Sequence, residues 1–376
     1  MRERQRIDLG ARLATYLLEG RTYSSGATVA LPSSAYRDER RWAAERALLG
    51  GRVPTVVALS GELPHPGDFA TFALPDLPTL TVRGDDGEAR VFVNACRHRG
   101  VLLRDEPCGH TGRVLVCPFH AWSYRNDGTL NAIPDPSGFT DLDPAALGLV
   151  ELPSIERHGM VWLLPDEHSE PIDAALADEL DAYGLAGWRA FRSVAIEVPA
   201  NWKLFYETFL EFYHGVYLHT STLAHLMQRN LVHFDRIGRH WRMAAAKQSL
   251  RAVAGTDPAS WSVLDHAVVS YDLFPNVALN VHGDHAAVYR ILPGDRVDRC
   301  VWHFTMLTPE PVDAGSKAER YFGRNFDYIV ATGHEDVAMA ASAQRTMAAT
   351  ERVLHGGFEP VLTDFHRWLD TALDGA

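Results

Sequence analysis

Two cysteines and two histidines in the first third of the chain have the types and spacing of a metal site. Cys96-Arg97-His98 is followed, after eighteen intervening residues, by Cys117-Pro118-Phe119-His120. Each short pair can converge on one centre from a tight loop. Thiolates suit zinc and iron-sulfur iron, while imidazole suits zinc, copper or iron, so zinc and a 2Fe-2S cluster compete for this set. A structural zinc finger usually pairs Cys with Cys and His with His, whereas both loops here carry one of each. A cluster with two Cys on one iron and two His on the other needs that mixture. Arg99-Gly100 and Pro118 fit tight turns whose backbone N–H groups can point at cluster sulfurs. Cys108-Gly109-His110 repeats the Cys-x-His spacing, but only six residues separate it from Cys117. It is read as a non-ligand, and Cys108 and Cys300 as ordinary thiols.

A second constellation lies on residues 199 to 219, which open with Pro199 and carry helical spacing of apolar residues. At 100° per residue Glu211 and His214 fall about 60° apart and Glu207 about 40° from Glu211, so the three share a face. His219 falls about 140° from His214, so a metal bound by both requires the helix to loosen or end near Gly215. Taken alone, a His with a Glu one turn away is more often a hydrogen-bonded core pair than a ligand set. Beside a one-electron carrier, a 2-His-1-carboxylate facial triad for iron and oxygen chemistry becomes the stronger reading. The carboxylate must come from elsewhere. Residues 318 to 347 read as helix, and Glu335 and Asp336 on it are equal candidates on physical grounds, with Asp327 and Asp364 also open.

Cys-Arg-His-Arg-Gly from residue 96 and Cys-Pro-Phe-His-Ala-Trp-Ser-Tyr-x-x-Asp-Gly-x-Leu from residue 117 resemble the Rieske domain of the non-haem iron oxygenases that include ring-hydroxylating dioxygenase α subunits. Asn-Trp-Lys-Leu-x-x-Glu-Thr-x-x-Glu-x-Tyr-His-x-x-x-x-His from residue 201 is similar to the mononuclear iron motif of the same family, and residues 31 to 69 to the segment that precedes its Rieske domain. The resemblance implies a Rieske 2Fe-2S cluster on Cys96, His98, Cys117 and His120, and Fe(II) on His214 and His219 with Asp336 as the third ligand. Glu211 occupies the family's bridging acid position, linking His214 to His120 across a subunit interface. The family often has Asn where Thr208 stands and Asp where Glu211 stands.

By the same resemblance the fold is α+β, a small antiparallel β Rieske domain plus a larger catalytic domain whose antiparallel sheet is covered by helices, helix-grip-like. The expected domains are 1–52, a helical segment packing on the catalytic domain; 53–165, the Rieske domain; and 166–376, the mononuclear iron domain. The implied function is a terminal oxygenase that takes electrons through the cluster and activates O2 to hydroxylate or oxidatively demethylate a small organic substrate. A ring-cis-dihydroxylating α subunit with a companion β subunit is the alternative within the class, and a Rieske electron carrier without oxygenase activity the alternative outside it. Ferredoxin or a flavin reductase drawing on NAD(P)H would be the electron source, and head-to-tail homotrimers would join one subunit's cluster to its neighbour's iron.

The elements that must hold these residues are legible in part. Residues 8 to 20 place Leu9, Leu13, Tyr16 and Leu17 on one helical stripe stopped by Gly20, and residues 35 to 49 read as a second surface helix. Residues 79 to 83 and 89 to 93 form a hairpin about Gly84-Asp85-Asp86-Gly87. Residues 134 to 148 read as loop, 149 to 155 and 160 to 164 as strands, and 165 to 188 as a linker with one helix. Strands follow at 266 to 274, 277 to 282, 286 to 292 and 299 to 307. Phe205, Phe209, Leu218, Tyr271, Phe274, Tyr289 and Trp302 could line a cavity, but such residues are more often plain core.

The 376 residues suggest two domains, and 46% apolar with 22% charged residues is ordinary globular composition. A net charge of −12 argues against nucleic acid as a partner. The charged N-terminus lacks the apolar run of a signal peptide, no stretch reaches a membrane span, and four Cys leave little for disulfides, so a cytoplasmic enzyme is expected. Nine Trp and twelve Tyr could furnish an aromatic cage for a quaternary ammonium, although a count does not build one.

Overall fold

A computed structural model describes residues 1–140 and 142–375. Asp141, inside the loop expected over 134 to 148, lies outside the described residues. The chain forms two compact units: Leu49–Pro171 with Gly184–Arg189, and Met1–Leu48 with Ile172–Tyr183 and Ala190–Ala376.

The chain opens with α1 (Glu3–Glu19), β1 (Val29–Pro32) and α2 (Glu39–Leu49). Leu9, Leu13 and Tyr16 of α1 are buried, and Gly20 ends the helix with φ 64, a left-handed cap that glycine adopts without strain. The second expected helix starts later than its pattern suggested, because residues Ser33–Tyr36 form a separate single 3-10 turn.

The smaller unit is all antiparallel. β2 (Thr55–Leu59) precedes β3 (Asp68–Leu74), β4 (Leu77–Arg83), β5 (Ala89–Val93), β6 (Cys108–His110), β7 (Val114–Val116), β8 (Ser123–Arg125), β9 (Leu130–Ala132), β10 (Glu151–Leu152), β11 (Ser154–Arg157) and β12 (Met160–Leu163). They make sheets of order β10-β5-β4-β3-β6, β11-β12-β2 and β7-β8-β9. The anticipated hairpin is β4–β5, with Thr79 opposite Val93 and Arg83 opposite Ala89. Leu80, Phe92, Leu115, Trp122 and Tyr124 pack with Cys96 and Cys117 into one apolar core, so both candidate thiols sit in the driest part of the unit.

The larger unit is built on a seven-stranded antiparallel sheet of order β13-β19-β18-β17-β16-β15-β14. Following α3 (Ala174–Asp181), its elements are β13 (Arg189–Val198), α4 (Trp202–Leu210), α5 (Gly215–Leu218), β14 (Met227–Ile237), β15 (His240–Lys247), α6 (Val263–His266), β16 (Ala267–Leu273), β17 (Val277–Val281), β18 (Ala286–Pro293), β19 (Cys300–Thr308), α7 (Lys317–Thr346), β20 (Arg352–His355) and α8 (Pro360–Asp374). β16 to β19 match the four expected strands. β14 escaped detection because its pairing slips between Met227 and Val232, with Asn230 at positive φ, so inward and outward residues do not alternate cleanly.

The N-terminus of α4 is fixed on three sides. Asn201 Oδ1 accepts from Lys203 N at 3.1 Å, Trp202 Nε1 donates to Glu45 Oε2 at 2.7 Å, and Lys203 Nζ reaches the same oxygen at 2.5 Å with both side chains fully buried. Removing either member of such a pair strands the other's charge, so the Lys-Glu contact ties α2 to α4. α7 approaches the sheet closely at Gly333, where any Cβ would overlap the Trp302 ring. The thirty-residue helix thereby lies low over β19 and carries Asp336 inward, 6% exposed.

Candidate metal centres and cavity

The two Cys-His loops share one backbone plan. Cys96 N donates to Val101 O and Gly100 N to Cys96 O, both at 2.8 Å; Cys117 N donates to Trp122 O at 2.8 Å and Ala121 N to Cys117 O at 3.1 Å. In each the fourth residue after the Cys turns through positive φ, Gly100 at 73° and Ala121 at 55°. Gly bears this freely and Ala does so under strain. The thiols point inward, each 4% exposed, while His120 is exposed and His98 half-buried. The His98 ring stacks on Trp122 at 5.0 Å and lies 4.7 Å from the His120 ring. Tyr124 Oη accepts from Arg97 N at 3.0 Å, leaving its hydroxyl proton to point at Cys96 Sγ, 3.2 Å away. Burial raises the Cys96 thiol pKa, and the Tyr124 contact acts against it. Two buried sulfurs with a donor aimed at one of them, and two imidazoles together at the outer side, fit a cluster with Cys on its inner iron and His on its outer one. Cys108-Gly109-His110 is strand β6 instead, with Cys108 exposed and His110 Nδ1 at 3.0 Å from Asp68.

The second set departs from the helix its spacing suggests. α4 stops at Leu210, and Glu211 takes extended backbone, φ −137 and ψ 167. Glu211 Oε2 accepts from the backbone N–H groups of Tyr213 and His214, which gives the exposed turn an alternative to continued helix. The break thus comes four residues before Gly215, and it lets His214 and His219 face one another with ring centroids 5.1 Å apart.

Each of these imidazoles gives Nδ1 to a carboxylate and Nε2 to Asp336. His214 Nδ1 meets Glu211 Oε1, and His219 Nδ1 meets Glu335 Oε2 at 2.6 Å. Glu335 also accepts from Ser221 Oγ at 3.1 Å and Thr222 Oγ1 at 3.0 Å. The two Nε2 atoms lie 3.4 and 3.3 Å from Asp336 Oδ1. That buried oxygen has no hydrogen-bond partner, so the contacts converge on it without satisfying it. One donor atom from each of the three residues falls within 4.8 Å of the others. An orphaned, buried carboxylate oxygen between two imidazole nitrogens of fixed orientation fits a divalent iron, and carboxylates on the far ring nitrogens are the usual outer support of such ligands. Burial disfavours charge on His214, but Glu211 outweighs it and the pKa is raised; on His219 burial is likewise outweighed, by Asp336 and then Glu335.

The rival carboxylates separate. Glu335 stands behind His219, Asp327 is exposed at 4.0 Å from Arg192, and Asp364 pairs with Arg236 and Arg367. Glu207, placed on one face with Glu211 and His214 by its spacing, turns away. It accepts from Tyr36 Oη at 2.9 Å and pairs with His366 Nε2 at 2.7 Å, and burial raises its pKa to about 7. With His355 these residues form a second buried His-Glu group that spacing alone did not reveal, because its members come from α4, β20 and α8.

A cavity of about 130 Å3 opens beside His214, His219 and Asp336. Its sheet wall uses one face of adjacent strands, Met243 opposite Ser270 and Ser270 opposite Asn280, and its helix wall is α7 at Tyr328 and Thr332. Of the candidate cavity residues Phe209, Tyr289 and Trp302 line it; Phe205, Leu218, Tyr271 and Phe274 do not. Asn280 and Ser270 were missed, although polar residues at inward positions of apolar strands are a readable signal.

Residues 185–375 match the family described as ring hydroxylating alpha subunit (catalytic domain), and residues 53–152 match the Rieske [2Fe-2S] domain. The chain belongs to this family of Rieske oxygenase α subunits, oxidoreductases whose cofactors are a Rieske 2Fe-2S cluster and a mononuclear iron. It is 28% identical over 304 residues to the glycine betaine monooxygenase oxygenase subunit of Chromohalobacter salexigens, covering 70% of this chain and 67% of that one. Over 222 residues it is 30% identical to a glycine betaine monooxygenase oxygenase subunit of Pseudomonas aeruginosa, covering 58% of this chain and half of that one. The quaternary ammonium Rieske monooxygenase CntA in complex with L-carnitine has the same fold, with TM-score 0.76 and 18% identity over 91% of this chain and 95% of that one. Naphthalene 1,2-dioxygenase from Rhodococcus sp. bound to indole does also, with TM-score 0.74 and 17% identity over 99% and 98%. Among the described residues no helix is long and apolar enough to cross a membrane.

Proposed function

We propose that the chain is the terminal component of an oxygenase system, with the Rieske cluster on Cys96, His98, Cys117 and His120 and the iron on His214, His219 and Asp336. The convergence of both Nε2 atoms on the orphaned Asp336 Oδ1 carries this reading. When bound, the cluster supplies single electrons and the iron the site where O2 is activated. Glu211 and Glu335 each hold a proton on Nδ1 of a histidine, so that both Nε2 atoms remain free lone pairs. The largely apolar cavity walls hold a small substrate against this face.

Hydroxylation or oxidative demethylation of a small organic molecule is the reaction that fits, with ferredoxin or a flavin reductase drawing on NAD(P)H as the electron source. Glu211 then joins His214 to the His120 of a neighbouring copy in a homotrimer in the cytoplasm. Residues 53–165 carry the cluster, 166–376 the iron, and 1–52 brace the catalytic domain through contacts such as Glu45 with Lys203.

Iron and acid-labile sulfide on anaerobically purified protein, with the electron paramagnetic resonance spectrum after dithionite reduction, test both sites. Three irons and two sulfides per chain with a Rieske signal support the proposal. A ratio near one leaves an electron carrier alone, and zinc without sulfide overturns it.

A further inference from the structure

Two hydrogen-bond donors in the cavity wall have nothing to donate to. Trp302 on β19 is fully buried and its Nε1 has no partner, and the buried hydroxyl of Tyr328 on α7 has none either. Both residues line the cavity beside His214, His219 and Asp336. An indole N–H can only donate, so no rearrangement within the wall turns it into an acceptor. Leaving such a group unsatisfied carries a desolvation cost that a bound acceptor removes. Asn280 is already engaged with Tyr289.

The charges of the lining are one-sided. No Lys or Arg is among the residues that line the cavity, whereas Glu211 and Asp336 are. His282, on the sheet wall, is pushed down to about 3, first by burial and then by His285 and Lys247, so it is neutral. With iron in the proposed site, its two positive charges are already matched by Asp336 and Glu211, so a carboxylate entering this space would lose its hydration and find no unmatched cation. The volume, about 130 Å3, is near the roughly 150 Å3 that accommodates benzene in an apolar cavity.

We propose that Tyr328 and Trp302 are specificity-determining residues that donate to an acceptor atom of the substrate, and that the cavity selects a compact, uncharged molecule with such an acceptor over one that carries a carboxylate. The inference rests on the cavity being the substrate site of the proposed oxygenase, and it adds which chemistry that site admits. The acceptor oxygen takes the Tyr328 O–H and Trp302 N–H, and the rest of the molecule lies against Phe209 and Tyr289.

Anaerobic calorimetric titration of the metal-replete protein tests this without turnover. Anisole and ethylbenzene have nearly the same shape and differ in one acceptor oxygen; benzoate and glycine betaine carry a carboxylate. The expected result is anisole bound about tenfold more tightly than ethylbenzene, with that preference reduced to under about threefold in Tyr328→Phe and in Trp302→Phe, and no binding of benzoate or glycine betaine. Equal binding of anisole and ethylbenzene, a preference that survives in Tyr328→Phe, tighter binding of either carboxylate, or no binding of any of the four overturns the proposal. If Trp302→Phe does not fold, Tyr328→Phe decides alone. Iron, sulfide and the reduced-cluster spectrum of the same sample report separately on the oxygenase reading, so a failed cavity and a failed enzyme class give different results.

Discussion

Glu335 and Asp336 are neighbours on α7, yet they address opposite nitrogens of one imidazole: Glu335 takes Nδ1 of His219 at 2.6 Å and Asp336 faces Nε2 at 3.3 Å. Adjacent residues on a helix point about 100° apart, so one can stand behind the ring while the other stands before it.

This division predicts distinct losses. Asp336→Ala is expected to abolish binding of the mononuclear iron while leaving two irons and two sulfides per chain. Glu335→Gln is expected to keep the iron site but weaken it roughly 10–100-fold, as removal of an outer support does. Metal analysis after dialysis against a graded chelator distinguishes the two, and equal loss in both variants would deny the division.

Glu211 holds His214 by its ring nitrogen and the following turn by two backbone N–H groups. Glu211→Gln keeps acceptor capacity but loses the negative charge. Both metals are expected to remain, with product formation in a single turnover slowed at least about tenfold. Unchanged single-turnover rates would remove its role in electron transfer.

Tyr124 bears on the cluster potential. The hydroxyl beside Cys96 Sγ stabilises added electron density, so Tyr124→Phe is expected to make the cluster harder to reduce. A net hydrogen bond of about 1 kcal/mol corresponds to a drop of roughly 40 mV for one electron. Redox titration followed by the Rieske signal reads it, and a potential that is unchanged or higher contradicts the assignment of the proton.

His240 makes stability depend on pH. It is buried and accepts from Phe274 N through Nδ1 at 3.2 Å, and burial, partly opposed by Asp173, lowers its pKa to about 4. The unfolded chain, with an ordinary histidine pKa, binds the proton first as pH falls. Stability from this residue is therefore complete above about pH 6.5 and is lost progressively toward pH 4, by about 2 kcal/mol between pH 7.5 and 5. His240→Gln, which keeps an acceptor without titrating, is expected to flatten that part of the urea-midpoint profile. A profile parallel to that of the wild type would rule out this source.

What the sequence made legible was what is local. The cluster loops were readable because four ligand residues fall within 25 residues, and the β4–β5 hairpin because its turn and alternation are contiguous. The end of α4 was not, since apolar periodicity continues through Tyr213 while the break is made by a side chain, Glu211, capping its own following turn. The family resemblance pointed to Asp336, but physical reasoning from the sequence could not separate it from Glu335, because their different placement depends on how α7 packs over β19, a contact between Gly333 and Trp302. The unsatisfied Tyr328 and Trp302 donors are invisible to any pattern, because an absent partner is a property of the whole fold.

The contact of Gly333 with Trp302 acts as a spacer. It fixes the height at which α7 rests on the sheet, and Asp336 hangs one turn further along the same helix. A side chain of any size at position 333 would lift the helix like a shim under a beam, drawing the carboxylate back from the two histidines without altering any of the three. The reach of the proposed ligand set is thus gauged by a residue that is not one of its members.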